Sequence, residues 1–176
     1  FPTALTIAVA NHTDGYILYL ARPGQYVKSP QQSKVDWTSG RFSSQIIHAY
    51  GNLINRLKAS NVHLIGYSGG ATVALLLIPE VKNIRSITTF AGVLNHRLWT
   101  TFHDISPLRN SLNPEDLSKK SFDGIPMTHF YGGEDETVPP ELVDQFKHAF
   151  QQISHMQFQE IKGFFHDSSW ETIPHI

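Results

Sequence analysis

Short apolar runs alternate with longer amphipathic stretches along most of the chain. Four of the short runs predict strands, at residues 62–65, 84–90, 125–131 and 156–161, of which the first is expected to be buried and the last alternates apolar and polar positions. Residues 43–58 repeat apolar positions at helical spacing, residues 71–78 are good helix formers stopped by Pro79, and a further helix is predicted over residues 139–151. Strands that alternate with helices in this way indicate a mostly parallel sheet with helices on both faces. We therefore expect an α/β fold, a three-layer sandwich around a sheet of about five strands.

The two ends of the chain and one long insertion complete the predicted architecture. Residues 16–20 are predicted to form the first strand, after an apolar stretch at residues 1–11 that is compatible with the end of a helix. Trp170 is predicted to begin a short last helix. Residues 91–124 follow a predicted strand and hold a helix-start signature, Asn-Pro-Glu-Asp, at residues 113–116. We expect one domain over residues 1–176, with a small cap-like insertion around residues 92–124.

A serine lies in a glycine-rich turn between the first buried strand and the helix that follows it. Residues 66–70 read Gly-Tyr-Ser-Gly-Gly, which is the pattern G-x-S-x-G in a strand–turn–helix context. Such a turn presents the hydroxyl of Ser68 above the sheet edge, and close backbone approach is the expected reason for glycine at positions 66 and 70. A turn of this composition can also be purely structural, so the partners of Ser68 decide its role.

A serine hydroxyl needs a base to take its proton, and the base needs a carboxylate to hold its tautomer. Residues 132–139, Gly-Gly-Glu-Asp-Glu-Thr-Val-Pro, follow a predicted strand, and ligand-handling groups of α/β sheets lie at the carboxyl ends of strands. Asp135 is the candidate carboxylate. Glu134 and Glu136 are alternatives, although the side chains of adjacent residues diverge.

The candidate base is His166, which follows the last predicted strand in the sequence Phe-Phe-His-Asp at residues 164–167. The order Ser, Asp, His along the chain is the one that this strand–turn–helix motif requires. His155 precedes its strand and His175 lies at the chain terminus, so both are weaker alternatives. Asp167 is next to His166 in sequence and would be strained in reaching its ring.

Taken together and in this order, residues 66–70, 132–139 and 165–167 resemble the three catalytic segments of the α/β-hydrolase superfamily. Residues 19–26 and 91–96 also resemble stretches of a bacterial branch of that superfamily. The resemblance implies that Ser68 is the nucleophile, Asp135 the orienting acid and His166 the general base. The Gly69 amide would be one oxyanion donor.

The same resemblance carries expectations about the sheet. It implies that residues 16–20 match the fourth strand of the full fold and that the third strand and its loop, which normally supplies a second oxyanion donor, lie before Phe1. We expect the sheet to close up around this gap, or a second copy of the chain in a homo-oligomer to fill it.

The implied activity is that of a serine hydrolase, a carboxylic ester hydrolase acting on a small-molecule acyl substrate. Tyr67, Trp99 and His103 are candidate substrate-binding residues, and the insertion is expected to cover Ser68 as a cap lined by Leu94, Trp99 and Phe102. An insertion without a role remains an alternative. An acyltransferase or thioesterase with the same triad, or a non-catalytic remnant or binding domain, are the rival functions.

Composition excludes several other classes. The chain has 176 residues, 40% of them hydrophobic, and a net charge of −1, so it has no charge bias towards nucleic acid or acidic membranes. It has no cysteine and therefore no disulfide or thiolate nucleophile. The ten histidines include no HExxH spacing, and no run reaches the roughly 18 apolar residues of a membrane span. We expect no metal and no cofactor, and the sequence does not indicate a compartment.

Overall fold

A computed structural model describes residues 2–11, 15–23 and 33–173. The chain divides into two compact units, one formed by Phe1–Gln32 together with Asp167–Ile176, and the other by Ser33–His166. Residues 24–26, which belong to one of the resembling segments, and His175 lie outside the described residues. The single-domain organisation stays a prediction.

The unit Ser33–His166 is built on a parallel sheet of four strands. The strands are β1 (Val62–Tyr67), β2 (Ile84–Phe90), β3 (Met127–Gly132) and β4 (Met156–Ile161). They lie side by side in chain order, and every neighbouring pair is parallel. The last residues of β1 and β2 are paired with each other, as are those of β3 and β4. All four strands therefore end at the same edge of the sheet, where the loops that follow them meet.

Helices precede and connect these strands, as the sequence pattern predicts. They are α2 (Ser44–Arg56), α3 (Gly69–Leu76), α4 (His96–Phe102) and α5 (Pro140–Ala149). Helix α3 is apolar on all sides and is largely buried, whereas α2 and α5 each bury one face and expose the other. The α/β architecture is confirmed, and β2 and β4 have the bounds that the sequence predicts.

The core between β3 and α5 contains a histidine. His129 is almost fully buried, and its Nδ1 makes a 2.7 Å hydrogen bond with the hydroxyl of Thr89 on β2. The rings of Phe146 and Phe158 lie 6.3 Å and 5.0 Å from the imidazole. Burial lowers the pKa of His129 to about 3, because the apolar surroundings disfavour the charged ring. This side chain is thus a neutral core residue.

The insertion is a folded part of this unit, held by buried polar side chains. The side chain of Asn95 caps α4 by accepting hydrogen bonds from the amides of Arg97 and Leu98. Asn113 donates to the same Asn95 oxygen at 3.0 Å, and Asn95 in turn donates to Glu115. The predicted helix start at residues 113–116 begins a single 3-10 turn, Pro114–Asp116.

The predicted strand at residues 16–20 is wrong. These residues contain no strand, and the large apolar side chains at positions 16 to 19 are all at least 38% exposed. A strand exists only through its hydrogen-bonded neighbour, and local apolar character does not supply one. The described residues accordingly form a sheet of four strands, close to the predicted count of about five.

The unit formed by the two ends of the chain contains helix α1 (Pro2–Ala10) and a 3-10 turn, Trp170–Thr172, which contact each other. Trp170 is fully buried. The predicted last helix therefore exists, but only as one 3-10 turn.

Candidate active site

Ser68 lies in a sharp turn between β1 and α3. It has φ +52° and ψ −120°, a conformation that is uncommon for a residue with a side chain. Its amide donates to the Phe90 carbonyl at 3.0 Å, and its carbonyl accepts from the amides of Ala71 and Val93 at 3.0 and 3.1 Å. These three bonds hold the strained backbone in place, so the serine has the geometry of a nucleophile elbow.

The two glycines of this turn differ in what they allow. A Cβ at Gly66 would lie 2.5 Å from the carbonyl oxygen of Gly70 and 2.7 Å from the backbone of Ala71, so only glycine fits there. A Cβ at Gly70 would have no atom within 4 Å. The expectation of close approach is therefore confirmed for Gly66 and wrong for Gly70, which contributes its carbonyl to the tight contact.

The three predicted triad residues come together at the edge where the strands end. His166 Nε2 lies 3.1 Å from Ser68 Oγ, and His166 Nδ1 lies 2.9 Å from Asp135 Oδ2. The Asp135 side chain is completely buried and that of His166 is 18% exposed. The other carboxylate oxygen, Oδ1, accepts from the amides of Thr137 and Val138, both at 2.8 Å. Both Asp135 oxygens are thus occupied.

This arrangement specifies where the protons lie. An ionised carboxylate only accepts hydrogen bonds, so the proton on the imidazole lies on Nδ1 and is donated to Asp135. Nε2 then carries the lone pair that accepts the hydroxyl proton of Ser68. The relay has the direction that a general base acting on serine needs.

The alternative triad residues are placed elsewhere. Glu134 and Glu136 are exposed, whereas Asp135 between them is buried. His155 Nε2 donates to the Phe122 carbonyl at 2.7 Å, at the opposite end of β4 from His166. Among these candidates, Asp135 is the carboxylate that contacts His166, and His166 is the histidine that contacts Ser68.

The loop that carries His166 is held by the last residue of β1 and by the loop after β3. The Tyr67 hydroxyl donates to the His166 carbonyl at 3.0 Å, and the two rings lie 5.2 Å apart. The Glu134 amide donates to the Phe164 carbonyl at 2.9 Å. Tyr67, expected to contact substrate, thus contacts His166, and its contact with substrate stays a prediction.

The predicted oxyanion donor lies at the start of α3. The N–H of Gly69 belongs to the first turn of this helix, whose amides have no acceptor within the helix, and the positive end of the helix dipole lies there. The ring of Phe42 packs beside Gly69, because a Cβ built on the glycine would meet it at 3.4 Å. A negative oxygen at this position would therefore find a donor in a partly apolar setting.

Phe42 is itself supported by the insertion. Its ring stacks on His96 at 5.9 Å, and its carbonyl accepts from the Leu112 amide at 2.9 Å. His96 Nε2 donates to the Leu112 carbonyl at 2.9 Å, which leaves Nδ1 as a buried acceptor with no partner among the described residues. Burial lowers the pKa of His96, so this ring is neutral.

Trp99 and His103, the two substrate-binding candidates of the insertion, both contact the loop of Asp135. The indole N–H of Trp99 donates to the Thr137 carbonyl at 2.7 Å, and His103 Nε2 donates to the same oxygen at 2.8 Å. Leu94 is buried and Phe102 is half exposed. The predicted role of these four side chains in a cap over Ser68 stays a prediction.

Phe42, Thr137 and Val138 are site residues that the sequence did not indicate. Thr137 and Val138 could have been predicted from the sequence, because an aspartate often accepts hydrogen bonds from the amides two and three residues later, as in an Asx-turn. Phe42 could not, since its contact with Gly69 joins distant parts of the chain.

Over the described ranges 2–11, 15–23 and 33–173, no group of three or more His, Asp or Glu side chains is placed to hold a metal ion. In the same part of the chain, no helix combines the length and apolar character that a membrane crossing requires.

Solved structures with the same arrangement of strands and helices come from several hydrolases. A puromycin hydrolase superposes with a TM-score of 0.56 at 18% identity, over 72% of this chain and 22% of that protein. The Pyrococcus furiosus esterase PF2001 superposes with a TM-score of 0.51 at 18% identity, over 68% of this chain and 53% of the esterase. A protein of unknown function from Agrobacterium tumefaciens superposes with a TM-score of 0.50 at 12% identity, over 70% of this chain and 52% of that protein.

The fold is that of the α/β hydrolases. The chain spans between about a fifth and about half of the length of these three structures. No family model and no curated protein matches the sequence. The α/β-hydrolase fold expected from the three sequence segments is confirmed.

Proposed function

We propose that the protein is a serine hydrolase that cleaves a carboxylic ester or a similar acyl compound through an acyl-enzyme. One observation carries this proposal, namely the relay of hydrogen bonds from Ser68 Oγ through His166 to the buried carboxylate of Asp135. A serine, a neutral histidine and a carboxylate in this order activate a hydroxyl for attack on a carbonyl carbon.

In the first half-reaction, His166 Nε2 takes the hydroxyl proton while Ser68 Oγ bonds to the substrate carbonyl carbon. The carbonyl oxygen becomes an oxyanion beside the Gly69 N–H. When the tetrahedral intermediate collapses, the bond to the leaving oxygen breaks and His166 gives its proton to that oxygen. Asp135 stabilises the imidazolium that exists between these two proton transfers.

In the second half-reaction, water takes the place of the alcohol. His166 removes a proton from water, the resulting oxygen attacks the acyl carbon, and Ser68 recovers its proton as the acid leaves. The same chemistry serves a thioester, and an alcohol or thiol acceptor in place of water would give acyl transfer.

The choice of an acyl substrate also draws on similar structures. One of them is an esterase and another hydrolyses puromycin. Because both superpose at only 18% identity, they support hydrolysis and not a particular bond or substrate. The proposal is for a small-molecule ester, with the thioester as the second bond to test.

Labelling of the protein with a fluorophosphonate probe, together with turnover of p-nitrophenyl esters and an acyl thioester, tests this proposal. We expect labelling at Ser68, and we expect Ser68→Ala to lose turnover by about 10⁴-fold or more with the fold unchanged. Ser60→Ala is the matched control, since Ser60 is exposed and lies outside the elbow.

The outcomes separate the rival functions. Labelling and ester turnover that both need Ser68 support hydrolysis, and faster release in the presence of an added alcohol or thiol indicates acyl transfer. A folded protein that is neither labelled nor active would favour a non-catalytic binding domain. Turnover retained by Ser68→Ala would place the nucleophile elsewhere.

A further inference from the structure

Trp99 of helix α4 and His103 at its C-cap meet the loop of Asp135 at one backbone oxygen. The Thr137 carbonyl accepts two side-chain hydrogen bonds, from Trp99 Nε1 at 2.7 Å and from His103 Nε2 at 2.8 Å. These side chains come from residues 38 and 34 positions away in sequence. Their rings also contact each other edge to face, 5.2 Å apart. Two aromatic donors one helical turn apart thus converge on one acceptor.

The acceptor belongs to the peptide unit that also binds the carboxylate of Asp135. The Thr137 carbonyl and the Val138 N–H are the two ends of one planar trans peptide, so they point in opposite directions. The Val138 N–H donates to Asp135 Oδ1 at 2.8 Å, beside the Thr137 N–H at the same distance. Trp99 and His103 therefore bind the carbonyl end of a peptide whose N–H end binds Asp135.

This contact affects both geometry and charge. Rotation of the peptide would move the Val138 N–H away from Oδ1 and allow the carboxylate of Asp135 to turn relative to His166 Nδ1. Donors on the carbonyl also polarise the peptide, which strengthens the hydrogen bond that its N–H makes at the other end. Two aromatic N–H donors achieve this in a loop whose residues Glu136 and Thr137 are exposed.

We infer that Trp99 and His103 are positioning residues for the catalytic acid, which act through the 137–138 peptide on Asp135 and so on His166. In this role they affect the chemical step and not the fit of the acyl chain. The catalytic consequence rests on the proposed serine hydrolase activity, whereas the structural consequence for the 137–138 peptide does not.

The test removes the donors while keeping the ring or the bulk. Trp99→Phe keeps an aromatic ring without its N–H, and His103→Leu keeps a branched side chain without a donor. His103→Gln is the conservative variant, because its amide places an N–H near the position of Nε2. Thr101→Val is the matched control, since Thr101 is exposed on the same helix.

We expect each donor-less variant to lower kcat for p-nitrophenyl acetate roughly three- to tenfold, as for the loss of one hydrogen bond. We expect KM to stay within about twofold, His103→Gln to recover most of the lost rate, and Thr101→Val to match the unmodified protein. A change in KM or in acyl-chain preference at unchanged kcat would overturn the inference, because Trp99 and His103 would then act on the substrate.

Amide hydrogen exchange gives a second readout that needs no activity. We expect faster exchange at Thr137 and Val138 in Trp99→Phe and His103→Leu, with the amides of β2 unchanged as a measure of global stability. Unchanged protection at these two amides would overturn the inference. Loosened amides in a protein that shows no hydrolysis would leave the positioning contact standing and would refute the proposed function alone.

Discussion

Replacement of Asp135 by asparagine tests the proton arrangement of the site most directly. Asp135 Oδ1 accepts from two backbone amides and Oδ2 accepts from His166 Nδ1. An asparagine has one oxygen and one NH₂ group to place at these two positions. If the NH₂ group faced the amides of Thr137 and Val138, both hydrogen bonds would be lost, each worth about 0.5–1.5 kcal/mol. The asparagine oxygen will therefore stay with the amides.

That orientation turns the NH₂ group of the asparagine towards His166. Nδ1 must then accept a hydrogen bond, so the imidazole proton moves to Nε2, which faces Ser68 Oγ. In this tautomer His166 cannot take the serine proton. We expect kcat to fall by about 10⁴-fold, the scale at which loss of the correct tautomer acts in serine hydrolases.

The assay compares Asp135→Asn with Glu134→Gln, which removes the same charge from the exposed neighbouring position. Turnover of p-nitrophenyl acetate and the rate of fluorophosphonate labelling should fall by a similar factor in Asp135→Asn only, because both need the same proton transfer. Urea unfolding checks that the variant is folded. A variant that retains more than about a tenth of the unmodified turnover would refute the tautomer argument.

Two further predictions concern the fold that supports the site. Gly66→Ala should lower the free energy of unfolding, measured in urea, by about 3 kcal/mol or more, because its Cβ would meet backbone atoms that cannot move aside. Gly70→Ala should leave this free energy unchanged or raise it by up to about 1 kcal/mol. Equal effects of the two substitutions would contradict the close approach at Gly66. Between about pH 6.5 and about pH 3, unfolded His129 binds a proton that the folded side chain does not, so stability should fall by about 1.4 kcal/mol for each pH unit below about 6.5. His129→Gln should remove this part of the pH dependence, whereas the control His148→Gln, at an exposed position, should not. If the slope of stability against pH is unchanged in His129→Gln, the core histidine is not its source.

The strands and the relay were predictable because each depends on a local pattern combined with chain order. Residues 84–90 and 156–161 have strand-like patterns, the latter through alternating apolar and polar positions, and they form strands with those bounds. The triad followed from one rule, that loops after parallel strands meet at the same edge of the sheet. Asp135 was preferred to Glu134 and Glu136, which stayed alternatives in the sequence, and its burial agrees with that preference.

The errors arose where a partner distant in sequence decides the outcome. Residues 16–20 have strand-like composition, yet the structure gives them no strand. Gly70 lies in a motif that suggests crowding, but the crowded atom is its own carbonyl against Gly66. The contact of Trp99 and His103 with Thr137 depends on how the insertion folds, and a sequence pattern does not report that position.

The contacts among the loops form a closed circuit around the site. The loop after β1 is joined to the loop after β4 by Tyr67 and His166, and that loop is joined to the loop after β3 by the Glu134 amide and the Phe164 carbonyl. The insertion after β2 joins the loop after β3 through the Thr137 carbonyl, and it returns to the first loop through the Val93 amide and the Ser68 carbonyl.

A circuit of this kind explains how short loops can hold a strained serine. Each loop is bonded to two others, so displacement of one must break hydrogen bonds at both of its neighbours, and the cost of the Ser68 conformation is shared among them. The insertion is then held to the candidate active site by two of the four links in the circuit, at Thr137 and at Ser68. Because each link is a hydrogen bond to a backbone carbonyl, the circuit constrains where the donors must lie and leaves the side chains that face the substrate free to differ.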